Sequence, residues 1–184
     1  MLAQFDDDSV VVYQAYRPAI GRFAAEHGYF GGEFSLSRMS WIKPNFLWMM
    51  YRCGWATKEG QEVVLAIWLA RAAFDEILSL AVPSSYWPHR YPDHDAWQRA
   101  LTHSEVRLQW DPDHGPAGQA LERRAVQLGL RGEVLANYSR EWVRRIEDIT
   151  PFVREQHGRA ALETPREEVY PWLASSRIEA DPMP

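Results

Sequence analysis

The residues best suited to chemistry cluster in SRMSWIKPNFLWMMYRCGWATK, residues 37–58, where three of the nine tryptophans surround Arg38, Lys43 and Arg52. Phe46, Met49, Met50 and Cys53 recur at helical spacing, and Leu47, Trp48 and Tyr51 cover most of the remaining faces. A helix that is apolar nearly all round is buried. Residues 44–53 are therefore expected as a core helix, with Pro44 at its first position and Gly54 at its end. Lys43 then stands at a helix N-terminus, where free N–H groups and the dipole favour an anion and an ammonium adds to them. Arg38, on an extended segment just before, can point the same way. One reading is a phosphate-bearing ligand such as a nucleotide; the other is an ion pair with a carboxylate, or an ammonium reaching solvent. These residues alone leave both open. Arg52 falls in the last turn, where a cation complements the dipole without any ligand.

Two glutamines interrupt apolar strand patterns, Gln14 in VVVYQAY and Gln127 in AVQLGL. A buried amide without partners costs about 1–3 kcal/mol, so each needs a hydrogen-bond network or an exposed face. Other motifs carry less. DPDH and YPDHD sit among turn formers and match no metal-ligand spacing, so no metal is expected. Cys53 has no histidine placed by sequence to activate it and reads as an inert core thiol. Glycine-rich phosphate loops and nucleophile-elbow patterns are absent.

Short elements must position these groups. Ser9–Tyr16 is β-branched and aromatic and reads as a strand stopped by Pro18, followed by a helix over 19–28. A turn is expected at Gly31-Gly32. The near-continuous apolar run in QEVVLAIWLA reads as a strand covered on both faces. A helix from Arg71 is expected to end at Pro83, with a loop over 83–95 and a turn or two of helix after it. Residues 104–111 and 123–130 alternate around a turn-rich segment and form an antiparallel pair that puts Arg107, Gln109 and Gln127 on one face. That face is either a solvated sheet surface or the wall of a polar cleft. Residues 133–148 read as helix with a break near Ser139. Thr150 is expected as the N-cap of a further helix. After Glu163 a frayed or surface tail is expected, with 171–184 its end.

A chain of 184 residues with 46% hydrophobic content fits one domain with a sizeable core. Its fold class is expected to be α+β, with a mixed or antiparallel, split sheet system and flanking helices. The net charge of −5 argues against a dedicated nucleic-acid binder but leaves room for a local basic cleft. One cysteine excludes an intramolecular disulfide and fits a reducing compartment. The acidic opening MLAQFDDDSV lacks the basic and apolar segments of a secretory signal, and no apolar run approaches the roughly 20 residues that cross a bilayer. A cytoplasmic protein without membrane partners is expected.

WIKPNFLWMMYRCGW, VRLQWDP, QLGLRGE and IEDITP together resemble a domain-of-unknown-function family found in bacteria and fungi, over roughly residues 5–170. More distantly, the chain is similar to the ADP-ribosyltransferase fold, in particular the branch that modifies nucleic acids. That fold opens on a strand with an Arg or His for the nicotinamide-side ribose, then a helix. The resemblance puts Gln14, Tyr16 or Arg17 in the cofactor position and makes Ser35, Ser37 and Ser40 candidates for a second-strand Ser or Tyr. It also implies a glutamate on a late strand. Here that strand carries Gln127, and the nearest carboxylate is Glu133, after LRG.

The function expected is binding of a nucleotide, either NAD or a nucleic-acid end. If the chain is an enzyme, glycosyl or ADP-ribosyl transfer with NAD as cofactor is the expected class. Lys43 and Arg38 would hold phosphate, Tyr16 and Trp41 would stack on a ring, and Glu133 with Gln127 would supply the reacting polar groups. A non-catalytic RNA or single-stranded DNA binder using the tryptophans as stacking platforms is the rival. A structural or partner-binding domain is the third reading.

Overall fold

The computed structural model describes residues 1–171. The chain opens with β1 (Leu2–Phe5) and β2 (Ser9–Tyr16), then α1 (Pro18–His27), β3 (Ser40–Ile42) and α2 (Phe46–Arg52). Next come β4 (Val63–Ala70), α3 (Arg71–Ser79), β5 (Ala81–Pro83), α4 (His94–His103) and the hairpin β6 (Val106–His114) with β7 (Ala120–Leu130). The last elements are α5 (Gly132–Arg140), β8 (Val143–Asp148), α6 (Thr150–Gln156) and β9 (Glu168–Val169). The class is α+β, built on two sheets. One has the order β8-β4-β2-β1-β9 and the other β3-β7-β6-β5. All pairs are antiparallel except β5 with β6. None of the helices among the described residues is long and apolar enough to cross a membrane.

Strand alternation sorts the apolar residues into two cores. Val10 and Val12 of β2 with Leu65, Ile67 and Leu69 of β4 join Ile42, Leu108 and Leu128 of the second sheet in one core. Val11, Tyr13, Val64 and Ala66, on the opposite face of β2 and β4, pack with Phe46, Met49 and Met50 of α2 and Val153 of α6. So β4 is covered on both faces and α2 lies in the interior, as their sequences demand.

The two sheets part along β2. That strand pairs with β1 only near its start, through Gln4↔Val11 and Phe5↔Val10. Two residues on, the Tyr13 N–H donates to the Lys43 carbonyl at 2.7 Å and the Lys43 N–H returns a bond at 3.3 Å. The edge thus switches from one partner to another, and β3 runs off into the second sheet. A crevice between the sheets follows from that divergence.

Several expectations are corrected. Asn45, not Pro44, opens α2: it is the N-cap, and its side chain accepts the Trp48 N–H at 2.9 Å. The helix after Arg71 ends before Ala81, because residues 81–83 add a parallel strand to β6. The helix expected over 133–148 stops at Arg140, and Val143–Asp148 pairs with the edge of β4 instead. Unpaired β4 backbone groups need that partner, which outweighs a weak local helical pattern. Ile149 rather than Thr150 is the N-cap of α6, and the Thr150 hydroxyl accepts the Val64 N–H. The segment after Glu163 is not frayed as far as residue 171: β9 pairs with β1, and the Tyr170 hydroxyl donates to Asp75 at 2.7 Å. The expected end tail lies outside the described residues from 172 onward.

Candidate functional site

The crevice opens beside the end of β2. Tyr16 closes that strand, and Arg17 is the N-cap of α1 with Pro18 directly after it. Gly21 lets α1 sit tightly on β4, since a Cβ there would stand 2.5 Å from a Val63 methyl. Across from them the chain reverses at Gly31–Phe34, where the Phe34 N–H donates to the Gly31 carbonyl at 3.0 Å. Phe34 packs on Phe30 and Tyr16, with ring centroids 4.8 and 5.9 Å apart. These walls enclose a cavity of about 420 Å³. Tyr16, Arg17 and Ile20 line one side, Glu33, Phe34, Ser35, Arg38, Met39 and Ser40 the other, with Gly60 at the margin. Arg17 pairs with Glu33 at 2.6 Å, both side chains more than half exposed.

A satisfied polar network forms the floor. The Gln14 Nε2 donates to the Ser40 Oγ at 2.9 Å and to the Trp41 carbonyl at 3.0 Å, while its Oε1 accepts from the Tyr138 hydroxyl at 2.6 Å. The Tyr16 and Ser40 hydroxyls lie 2.7 Å apart. The Tyr16 hydroxyl therefore sits between the Ser40 hydroxyl and the Gln14 amide, inside the same network. Burial pushes the Tyr16 and Tyr138 phenols well above the usual range, and both stay neutral. Gln14 is therefore a structural support beneath the site and offers no free atom to a ligand.

Tyr16, Arg17 and Arg38 thus meet in one cavity, joined by Ser35 and Ser40. The other expected residues lie elsewhere. Lys43 sits where the sheets part, and its Nζ donates to the Trp41 carbonyl at 2.8 Å. Burial, with the Arg52 charge second, lowers its ammonium pKa to about 7. Trp41 and Gln127 stand on the face of the second sheet opposite its core, in register with β7 and β6. The Gln127 Nε2 donates to the Asp111 carboxylate at 2.7 Å. Glu133 is exposed in the first turn of α5, and its backbone N–H donates to Glu105 at 3.1 Å. Neither Glu133 nor Gln127 lines the cavity; the carboxylate that does is Glu33.

Sequence reading missed the anion at the α2 N-terminus. It is the chain's own Glu167, which accepts the Phe46 N–H and, at 2.8 Å, a bond from the Asn45 Nδ2. Burial raises its pKa to about 7, the Phe46 bond opposing and Asp113 adding to the rise. Asp113, 1% exposed, is held by Arg123 through contacts of 2.6 and 2.7 Å. No local pattern announces a contact across 121 residues. Cys53 is buried, and desolvation raises its thiol above the ordinary value, the state of an inert core group. No group of three or more His, Cys, Asp or Glu among the described residues could hold a metal ion.

Residues 1–175 match a family described as a domain of unknown function, DUF4291, and the chain belongs to that family. No curated protein matches it.

Proposed function

We propose that this chain binds a dinucleotide such as NAD in the Tyr16–Arg17–Arg38 cavity and acts as an ADP-ribosyltransferase-like enzyme. The observation that carries the reading is the meeting, in one cavity between diverging sheets, of two arginines, an aromatic ring and a pair of hydroxyls. Arg17 and Arg38 would take pyrophosphate oxygens, for which the guanidinium fork is suited. The Tyr16 or Ser40 hydroxyl would meet a ribose or carboxamide oxygen on ligand entry. Transfer breaks the bond between the ribose C1′ and the nicotinamide nitrogen and forms one from C1′ to an acceptor nucleophile. Glu33, the carboxylate in the cavity lining, would stabilise positive charge on the ribose, so this reading moves that role from Glu133 to Glu33.

Calorimetric titration with NAD and ADP-ribose tests the reading. Arg38→Ala or Arg17→Ala should weaken ADP-ribose binding by about tenfold or more, the scale of one charge-assisted hydrogen bond. Glu33→Gln should slow nicotinamide release while leaving ADP-ribose affinity within a few fold, and Glu133→Gln should change neither. Absence of binding to the wild type at millimolar concentration would overturn the proposal.

A further inference from the structure

The face of the second sheet that looks away from its core carries a group the cavity does not absorb. Register puts Trp41, Gly129 and Arg107 in one cross-strand row and Gln127 with Gln109 in the next. Directly paired residues share a face, so these side chains emerge together. A Cβ on Gly129 would stand 3.0 Å from two Trp41 ring atoms and 2.7 Å from the Met39 sulfur. The indole therefore lies across the bare glycine, half-buried, in a place any larger residue would deny it. Beside it, Gln127 and Gln109 both donate their Nε2 to Asp111, at 2.7 and 2.9 Å, one to each carboxylate oxygen. Asp111 thereby fixes both amides and leaves both Oε1 atoms without a partner among the described residues. The Arg107 Nε is buried and likewise unpartnered. Met39 also lines the cavity, so this face and the cavity adjoin.

We infer that this face is a nucleobase platform: Trp41 stacks on a base and the Gln109–Gln127 carbonyl pair accepts from its exocyclic amino group. A ring stacks on an indole whatever its sequence identity. Two fixed acceptors favour adenine, cytosine or guanine, which carry amino donors, over thymine or uracil, which present carbonyl oxygens there. A merely solvated sheet face would not need a tryptophan laid over a glycine. In the proposed transfer reaction the platform would hold the acceptor, and for that role alone it rests on the function proposed above. Base binding itself is measurable without it.

Fluorescence anisotropy of labelled adenine, cytosine and thymine tetranucleotides on the full chain tests the inference. Adenine and cytosine tetramers should bind about tenfold tighter than thymine, a difference at the scale of one amino-group contact. Trp41→Ala should weaken all three by about tenfold or more, the range of one base stack. Trp41→Phe should recover part of that loss, and Gln109→Leu with Gln127→Leu should erase the base preference. Free AMP competing as well as the adenine tetramer would identify a nucleotide as occupant, and a tetramer advantage would identify a strand; either supports the platform. Equal binding of all three tetramers, no binding, or wild-type affinity in Trp41→Phe, Gln109→Leu and Gln127→Leu combined would overturn it. ADP-ribose titrations on the same variants keep the two proposals apart, because they read the Arg17–Arg38 cavity.

Discussion

Two places in this chain set a cation and a proline at the start of a helix: Arg17-Pro18, the N-cap and first residue of α1, and Lys43-Pro44, just before the Asn45 N-cap of α2. They end in opposite states. At α2 the Asn45 side chain caps the first turn and Glu167 takes up the Phe46 N–H, so the anion favoured by the helix end is internal. At α1 no side chain caps the helix and its first turn holds no acidic residue, while Arg17 and Arg38 face a cavity of about 420 Å³. The lesson is that a cation at a helix start does not say which carboxylate or ligand, if any, the helix end takes up. A carboxylate from 121 residues away decided one case. At the other, Arg17 pairs with Glu33 beside a cavity.

The largest expected effect lies on the closed side. Met49, 1% exposed, packs α2 against the sheet, and Met49→Ala should cost about 2–5 kcal/mol in a denaturant melt. A loss under about 1 kcal/mol would mean that α2 is not held by packing. Next comes the internal anion itself. Glu167→Ala strands the Phe46 N–H and the Asn45 amide and should cost about 1–3 kcal/mol. The matching change on the open side, Glu33→Ala, removes an exposed ion pair and should cost at most about 1 kcal/mol. Equal losses in the two variants would erase the contrast.

A subtler consequence concerns pH. Glu167 has its folded pKa raised from 4.5 to about 7, so between those values the folded state binds the extra proton and stability falls as pH rises. Lys43 has its folded pKa lowered from 10.5 to about 7, so above pH 7 the unfolded state binds the extra proton and stability rises with pH. The two slopes meet in a minimum near pH 7. Glu167→Gln should flatten the acid limb and Lys43→Met the alkaline limb of a plot of denaturation midpoint against pH. The smallest effect is expected from Arg38→Ala, which should leave the melt within about 0.5 kcal/mol of wild type, as surface changes do. Its readout is ligand affinity alone.

Local periodicity made much of the fold legible. β2 and α1 follow from a β-branched run broken by proline. β4 follows from its unbroken apolar stretch, and the β6–β7 hairpin from alternation around turn formers. Edge strands were not legible in the same way. Residues 143–148 fit a helix as well as a strand until β4 offers an unpaired edge, and β1, β5 and β9 are too short to show a period. The site divides along the same line. Tyr16 and Arg17 lie at the β2–α1 junction and Arg38 on the facing loop, where the sequence had suggested that Arg38 turns toward Lys43. Gln14 was readable as a residue in need of partners, though not which ones.

What the sequence by itself determined is therefore the set of amphipathic elements and the interior place of α2. Those properties arise within a dozen residues, from side-chain period. Tertiary structure alone decided that Glu167 answers Lys43's helix, that Glu33 and not Glu133 lines the cavity, and that Trp41 lies across Gly129. Each is a contact between elements whose separation depends on how two sheets diverge from one strand, and no residue carries that geometry in its local neighbourhood.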